Sequence, residues 1–319
     1  MMKAAIVHGP NRTPVYGEFD EPTPQDGMVV VRVAASALSN ATRARAAGSH
    51  YSMTGGFPLV PGIDGVGRTE SGERVGFLLP EAPFGGMAEK TLVRNGLCVP
   101  VPDNLSDVLA AAIINPGQSP IGALIARASL QPGEGVLING ATGTTGQIAV
   151  QIAKHLGASR VVATGRNSDV LARLRELGAD DTIDLTGDVG AVHDALAAHF
   201  AEGGISVVLD YLSGSPTEIV LGAIARSQKG GKTIRYVIAG SSAGSSTSVP
   251  TSVLGSTSLV LMGYGIGSVR VPDIVRSAKE ALQIAGSVDL RIDLTVLPLA
   301  QVEEAWTSEH DRNRVVFTL

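Results

Sequence analysis

Between Gly135 and Leu156 an apolar run, GVLING, passes directly into the turn ATGTTG, Ala141 to Gly146, and then into a segment with Ile148, Ile152 and Leu156 at four-residue spacing. Strand, glycine-rich turn and amphipathic helix in that order build an anion cradle. The free amides and the dipole of a helix start favour negative charge. Gly143 lets the backbone approach a pyrophosphate, and Gly146 lets the helix lie close on the strand. Thr142, Thr144 and Thr145 line the same turn, the last two as hydroxyl donors. Ala141 stands where the fingerprint usually has its first glycine, with Gly140 just before it, so the turn is a variant. The plain alternative is an ordinary glycine-rich strand-to-helix turn.

The next apolar run, Arg160 to Ala163, ends in Thr164-Gly165-Arg166-Asn167-Ser168. A site for NAD usually places a carboxylate at this strand end to hold the ribose 2′-hydroxyl, whereas a site for NADP removes the acid and supplies a cation. No acid is present here. Arg166 is placed for a forked contact with a 2′-phosphate, and Asn167 and Ser168 are placed to bond the same group. NADPH is therefore the expected cofactor. Read blandly, Arg166 is a solvated turn residue.

These loops need elements to hold them. With 319 residues the chain exceeds the size at which one core usually keeps growing, so two domains are expected. The first hundred or so residues carry short β-type runs: Ala4 to Val7, Val29 to Ala35, Gly65 to Thr69, Glu73 to Leu78, Ala88 to Val93 and Gly96 to Val101. Their spacing suggests an irregular antiparallel barrel or sandwich. A helix over Asp103 to Ile114 is expected to stop at the punctuation NPGQSP, Asn115 to Pro120. From Gly135 strands and helices alternate, the pattern of an α/β fold with a parallel sheet covered on both faces. Further strands are expected at Thr182 to Leu185, Ser206 to Tyr211, Thr233 to Ala239 and Ser258 to Met262, completing one Rossmann doubly wound sheet. Helices fall at Ser168 to Leu177, Val189 to Phe200, Pro216 to Ala225 and Pro272 to Ala285, while Ser241 to Ser248 reads as a mobile polar loop. Short strands near Ile292 to Leu297 and Arg314 to Thr318 return to the first domain. The expected boundaries are 1–118, 119–263 and 264–319.

Composition narrows the function classes. A net charge of −5 without a basic block gives no footprint for nucleic acid or an anionic membrane. The longest apolar runs, such as Val108 to Ile114, cover about two helical turns and fall short of a membrane span. The start MMKAAIVHG reads as a first strand instead of a secretory signal, which gives a cytoplasmic expectation. Cys98 is the sole cysteine, so neither an intrachain disulfide nor a four-thiolate zinc cluster can form, and a buried hydrophobic role is expected for it.

The order of segments resembles the medium-chain dehydrogenase/reductase superfamily, in its zinc-independent quinone oxidoreductase-like branch, over essentially the whole chain. The stretches that carry the resemblance are AASALSNATRARAAGSHY, LVPGIDGVGR, GGMAEKTLV, AAAIINPGQS, LQPGEGVLINGATGTTGQIAVQIAKHLGA and LRELGADDTIDL. It implies a GroES-like, mostly β catalytic domain and hydride transfer from NADPH to a quinone or an α,β-unsaturated carbonyl compound. Metal-dependent relatives hold zinc through a histidine of a GHE motif; the matching position in PGIDG is Ile63, which cannot ligate, so no metal is expected. Asp64 stands at the motif's glutamate and is expected to be a structural hydrogen-bond acceptor. The histidines are scattered and are read as structural or surface groups.

For the chemistry, Tyr51 resembles the tyrosine often found beside substrate in this family, placed to donate to a carbonyl oxygen or protonate the adjacent carbon. The competing role is aromatic packing. The family's Asn-Pro-x-Asp is replaced by Leu38-Ser39-Asn40-Ala41-Thr42, so Ser39, Asn40 and Thr42 carry over only as polar contacts and no carboxylate does. Ser119 takes the place of a family threonine near the nicotinamide ribose. Gly240 and Ser241, with Gly263, Tyr264 and Gly265, follow strands whose carboxyl ends face ligand in such sheets. Tyr264 is alternatively packing in a homodimer formed through the edge strand. The rival function is a nucleotide-binding sensor or structural protein with little turnover. An enoyl thioester reductase would want basic residues at the pocket mouth, where Arg43 and Arg45 are the nearby cluster.

Overall fold

The structure, a computed structural model, describes residues 1–49, 55–201, 204–227, 231–308 and 313–319. It divides into two compact units, Met1–Gln118 with Ile274–Leu319, and Ser119–Asp273.

In the first unit β1 (Met2–Ile6) pairs antiparallel with β2 (Val15–Phe19), a strand that the sequence pattern does not reveal. The larger sheet is built around β3 (Met28–Ala37), followed by α1 (Asn40–Ala46), β4 (Asp64–Thr69), β5 (Arg74–Leu78), β6 (Lys90–Arg94) and β7 (Cys98–Pro100). Only Cys98 to Pro100 of the expected strand over Gly96 to Val101 is extended, because Asn95–Leu97 forms a tight turn. Cys98 is partly exposed, and burial together with Glu73 pushes its thiol up to about 11, which keeps it protonated.

The helix α2 (Asp107–Ile121) departs from expectation: it runs through NPGQSP instead of stopping there. Proline inside a helix costs roughly 3 kcal/mol. Burial outweighs that cost, since Ala110, Ala111, Ala112, Ile113 and Ile114 are all 0% exposed. The chain then continues in wider turns over Gly122–Arg127, with Ala128 N–H donating to the Ala123 carbonyl at 2.9 Å and Leu130 N–H to that of Leu124 at 2.8 Å. The joined helix Asp107–Arg127 is long and apolar enough to cross a membrane by length and composition, contrary to the estimate from Val108 to Ile114, but most of it is buried within the fold.

In the second unit β8 (Gly135–Asn139), α3 (Thr144–His155), β9 (Arg160–Gly165), α4 (Ser168–Glu176), β10 (Asp181–Asp184), α5 (Val189–Ala201), β11 (Val207–Asp210), α6 (Ser215–Ser227), β12 (Ile234–Ile238), α7 (Thr251–Ser256) and β13 (Leu259–Gly263) alternate. The six strands lie in the order β10-β9-β8-β11-β12-β13, all parallel, which is the Rossmann order. Side chains alternate between the faces: Val136 and Ile138 join one core, with Val161, Ala163, Val207 and Leu209, while Leu137 joins the other, with Val162 and Val208. This explains why β8 is buried throughout.

The chain returns to the first unit along α8 (Val271–Ser287), then β14 (Leu294–Pro298), α9 (Val302–Thr307) and β15 (Arg314–Thr318). The expected boundary at 264 falls inside the second unit, because Tyr264, at 7% exposure, belongs to its core. β15 joins β3 antiparallel and β14 parallel, giving the order β14-β15-β3-β4-β5-β7 with β6 also on β3.

Candidate functional site

The glycine turn is held from beneath. Asn139, at the end of β8, accepts from Thr164 Oγ1 at 2.7 Å, and Ala141 N–H donates to the Thr164 carbonyl at 2.7 Å. Gly146 seats α3 on this turn: a Cβ there would lie 2.5 Å from Ala141 Cα, so only glycine permits the approach. Gly143 caps the helix with extended backbone, no side chain caps it, and a Cβ there would meet nothing within 4 Å. The helix start is therefore open at Gly143 and uncapped by any described side chain, which is what a pyrophosphate requires. Thr144 and Thr145 are partly exposed beside them, and Thr142 leans over Gly165, where a Cβ would come 2.2 Å from Thr142 Cγ2.

Past Gly165, Arg166 is exposed and has no hydrogen-bond or ion-pair partner among the described residues. Asn167 caps α4 by accepting from Val170 N–H at 3.0 Å. The adjoining strand ends at Asp184, the register partner of Gly165. Its carboxylate accepts from the amide and hydroxyl of Thr186 at 2.8 and 2.7 Å, which hold it below the ordinary carboxylate range.

At the carboxyl end of β11 lies a buried network absent from the sequence reading. Asp210, 0% exposed, accepts from Leu212 N–H at 2.7 Å, Tyr236 Oη at 2.5 Å and Thr217 Oγ1 at 2.5 Å. It fixes the turn that Tyr211 begins. Tyr211 is 9% exposed, and its phenol has no partner within hydrogen-bond distance among the described residues. Burial pushes that phenol above its usual range, the facing Ser119 hydroxyl opposes the shift, and Tyr264 adds to it. Tyr264 settles against α2's continuation, where a Cβ on Gly122 would lie 2.0 Å from the Tyr264 hydroxyl. The alternative of Tyr264 as dimer packing is thus corrected: it packs within its own unit. Ser119, Tyr211 and Tyr264 gather in one place, and the position of Tyr211 straight after an apolar strand was the signal that could have found it.

Gly240 packs on the backbone of Tyr211, whose carbonyl accepts from Ser242 N–H at 3.2 Å and Ser242 Oγ at 2.8 Å. Ser241 is exposed beside it. The loop Ser241 to Ser248, expected to be mobile, is tied down: Ala243 N–H donates to the Leu212 carbonyl at 2.8 Å, Gly214 N–H to Thr247 Oγ1 at 2.8 Å and Ser248 N–H to Glu218 at 2.8 Å. Polar side chains that suggested solvation serve here as local partners.

In the first unit Ser39 is the N-cap of α1, accepting from Thr42 N–H at 3.0 Å, and its hydroxyl lies 2.9 Å from that of buried Thr42. Asn40 is exposed next to them. Tyr51 lies outside the described residues. Arg43 stacks over Trp306 at 5.1 Å and donates to the Trp306 carbonyl. Asp64 is fully buried, yet neither carboxylate oxygen has a partner among the described residues, so the expected hydrogen-bond acceptor is corrected to an unbonded carboxyl. Burial raises it to about 7 against the opposing charge of Arg314, itself buried and donating to the Leu38 carbonyl at 2.8 Å. Among the described residues no group of three or more His, Cys, Asp or Glu side chains is gathered to hold a metal ion.

Comparison with known proteins bears on this arrangement. The family model described as zinc-binding dehydrogenase matches residues 144–284. The "Probable NADPH-dependent quinone reductase tdiC" of Emericella nidulans is 27% identical over 95% of this chain and 96% of its own length. The 2-methylene-furan-3-one reductase of Solanum lycopersicum is 32% identical over 52% of this chain and 46% of its own. Among solved structures, the quinone oxidoreductase from Thermus thermophilus, also solved with NADPH, is 29% identical, with a TM-score of 0.81 over 100% of both chains. A mycobacterial quinone oxidoreductase at 20% identity shares the fold, with a TM-score of 0.84 over 100% of both chains. Along its full length, in sequence as well as in fold, the chain is similar to quinone oxidoreductases of the medium-chain dehydrogenase/reductase type.

Proposed function

We propose that this chain is an NADPH-dependent reductase acting on a quinone or an α,β-unsaturated carbonyl compound. The observation that carries the reading is the open, uncapped start of α3 beside an unpartnered Arg166, with no carboxylate at the end of β9. The cradle fits a dinucleotide. Amides of Gly143, Thr144 and Thr145 take the pyrophosphate, Ala141 and Thr142 shape the turn, and Arg166 with Asn167 takes the 2′-phosphate. Ser119, Gly240, Ser241 and Tyr264 hold the nicotinamide end at the carboxyl edges of the sheet.

The bound cofactor supplies a hydride, and the chain's residues supply position and polarity. Reduction at the electrophilic carbon leaves negative charge on the carbonyl oxygen, which needs a hydrogen-bond donor and then a proton. On the substrate side Asn40 is an exposed polar group at the start of α1, while Ser39 is engaged as its cap. Tyr51 is proposed as the second donor. The relatives support this reading, since their names include NADPH-dependent quinone reduction and 2-methylene-furan-3-one reduction.

The test is oxidation of NADPH with a benzoquinone, a naphthoquinone, cyclohexenone and crotonyl-CoA as acceptors. The reading predicts turnover with a quinone or an enone and a clear preference for NADPH over NADH. Binding of the nucleotide with no consumption across the panel contradicts it and favours the sensor alternative.

A further inference from the structure

The two arginines near the end of α1 have different fates. Arg43 is used inside the fold, over Trp306 and on its carbonyl. Arg45 instead lines a cleft whose other walls include Leu59, Val60, Pro61, Ile63 and Phe84. Arg45 carries the one charged side chain among the described residues that line it, and the other side chains are apolar. Arg45 is partly buried and has no hydrogen-bond or ion-pair partner among the described residues. Of the carboxylates nearest in sequence to the cleft wall, Glu81 is held by Arg94 at 3.2 Å, and Asp64 is fully buried, with the charge of Arg314 acting on it. Desolvation alone acts on Arg45, pulling its pKa down with no acid to restore it. A half-desolvated cation without a counter-ion is costly unless a ligand supplies one.

We propose that Arg45 is the anion contact of this cleft and that the acceptor carries an oxyanion group, a carboxylate or a phosphate, joined to an apolar body. The apolar wall takes the ring or alkene, and the guanidinium forks onto the oxyanion. This deepens the reductase reading and rests on it for what happens to the ligand after binding.

The experiment measures binding apart from turnover. A carboxylated naphthoquinone and its neutral methyl ester are titrated against the intact protein in the presence of NADP+, with crotonyl-CoA as an arm whose anionic groups are phosphates. The wild-type protein is expected to prefer the acid over the ester by at least roughly tenfold, and Arg45→Met to lose that preference. Arg45→Lys is expected to keep part of it, and added salt to weaken it. A similar preference for crotonyl-CoA that depends on Arg45, without one for the acid, assigns the phosphate source. Equal binding of acid and ester by the wild type, with crotonyl-CoA indifferent to Arg45, overturns the proposal, as does a preference that survives in Arg45→Met. If Arg45→Met does not fold, Arg45→Lys and the salt dependence decide by the same criteria. Arg45-dependent binding of the acid without NADPH oxidation leaves the anion site standing and removes the reductase reading.

Discussion

Asp64 is a carboxyl group held inside the first unit without a hydrogen bond among the described residues, opposite a buried Arg314. The native group keeps its proton until about 7, whereas the ordinary value is 3.8. Between those values the folded state binds the extra proton, so the contribution of Asp64 to stability is most favourable at low pH and falls as pH rises, with the loss complete above about 7. The loss is on the order of 4 kcal/mol, from about 1.4 kcal/mol per pK unit. Asp64→Asn should remove this share of the pH dependence, so that denaturation midpoints of variant and wild type diverge as pH rises from the ordinary carboxylate range to above neutrality. Parallel curves would show that the carboxyl ionises normally. At this scale sequence was a good guide to exposed chemistry and a poor one to buried chemistry. The exposure of Arg166 agrees with its turn position, and its proposed role is readable because a missing acid and a present cation leave a mark in the letters. Asp64's lack of bonds left none, since it depends on what β15 brings across the sheet.

Among the elements, the parallel strands were the most legible, because burial on both faces writes continuous runs such as VLI in β8 and VVL in β11. The long helix α2 was misread because its prolines speak locally, whereas the burial of Ile113 and Ile114 is decided by the rest of the fold. The helices α7 and α9 are too short to show a period, and in β2 Gly17 and Glu18 interrupt the apolar run. One strand invites a prediction of its own. β13 is at an edge of the parallel sheet, and Val260 on it is 45% exposed. An open edge of apolar side chains is a site for pairing with a second copy. Light scattering should give twice the chain mass, and Val260→Lys should shift the protein toward the monomer. A monomeric wild-type protein at micromolar concentration would remove the edge-pairing account.

At the scale of the whole molecule, the two-unit division and the Rossmann order followed from the switch of pattern after Gly135, whereas the boundary near 264 did not, because only packing shows that Tyr264 belongs to the nucleotide-type core. The cradle for the cofactor is legible as sequence since it is local: one turn, one helix start and one strand end. The proposed substrate side is less legible, since Ser39 and Asn40 sit at the start of a short helix that shows no period. The central claim is that this cradle grips a phosphorylated dinucleotide through Arg166. A calorimetric titration of NADPH and NADH against wild type and Arg166→Ala tests it directly. The wild type is expected to bind NADPH at least roughly tenfold more tightly than NADH, and Arg166→Ala to lose most of that difference with little effect on NADH, as befits one charge-assisted contact. Equal affinity for the two nucleotides in the wild type, or equal weakening of both in the variant, would contradict it.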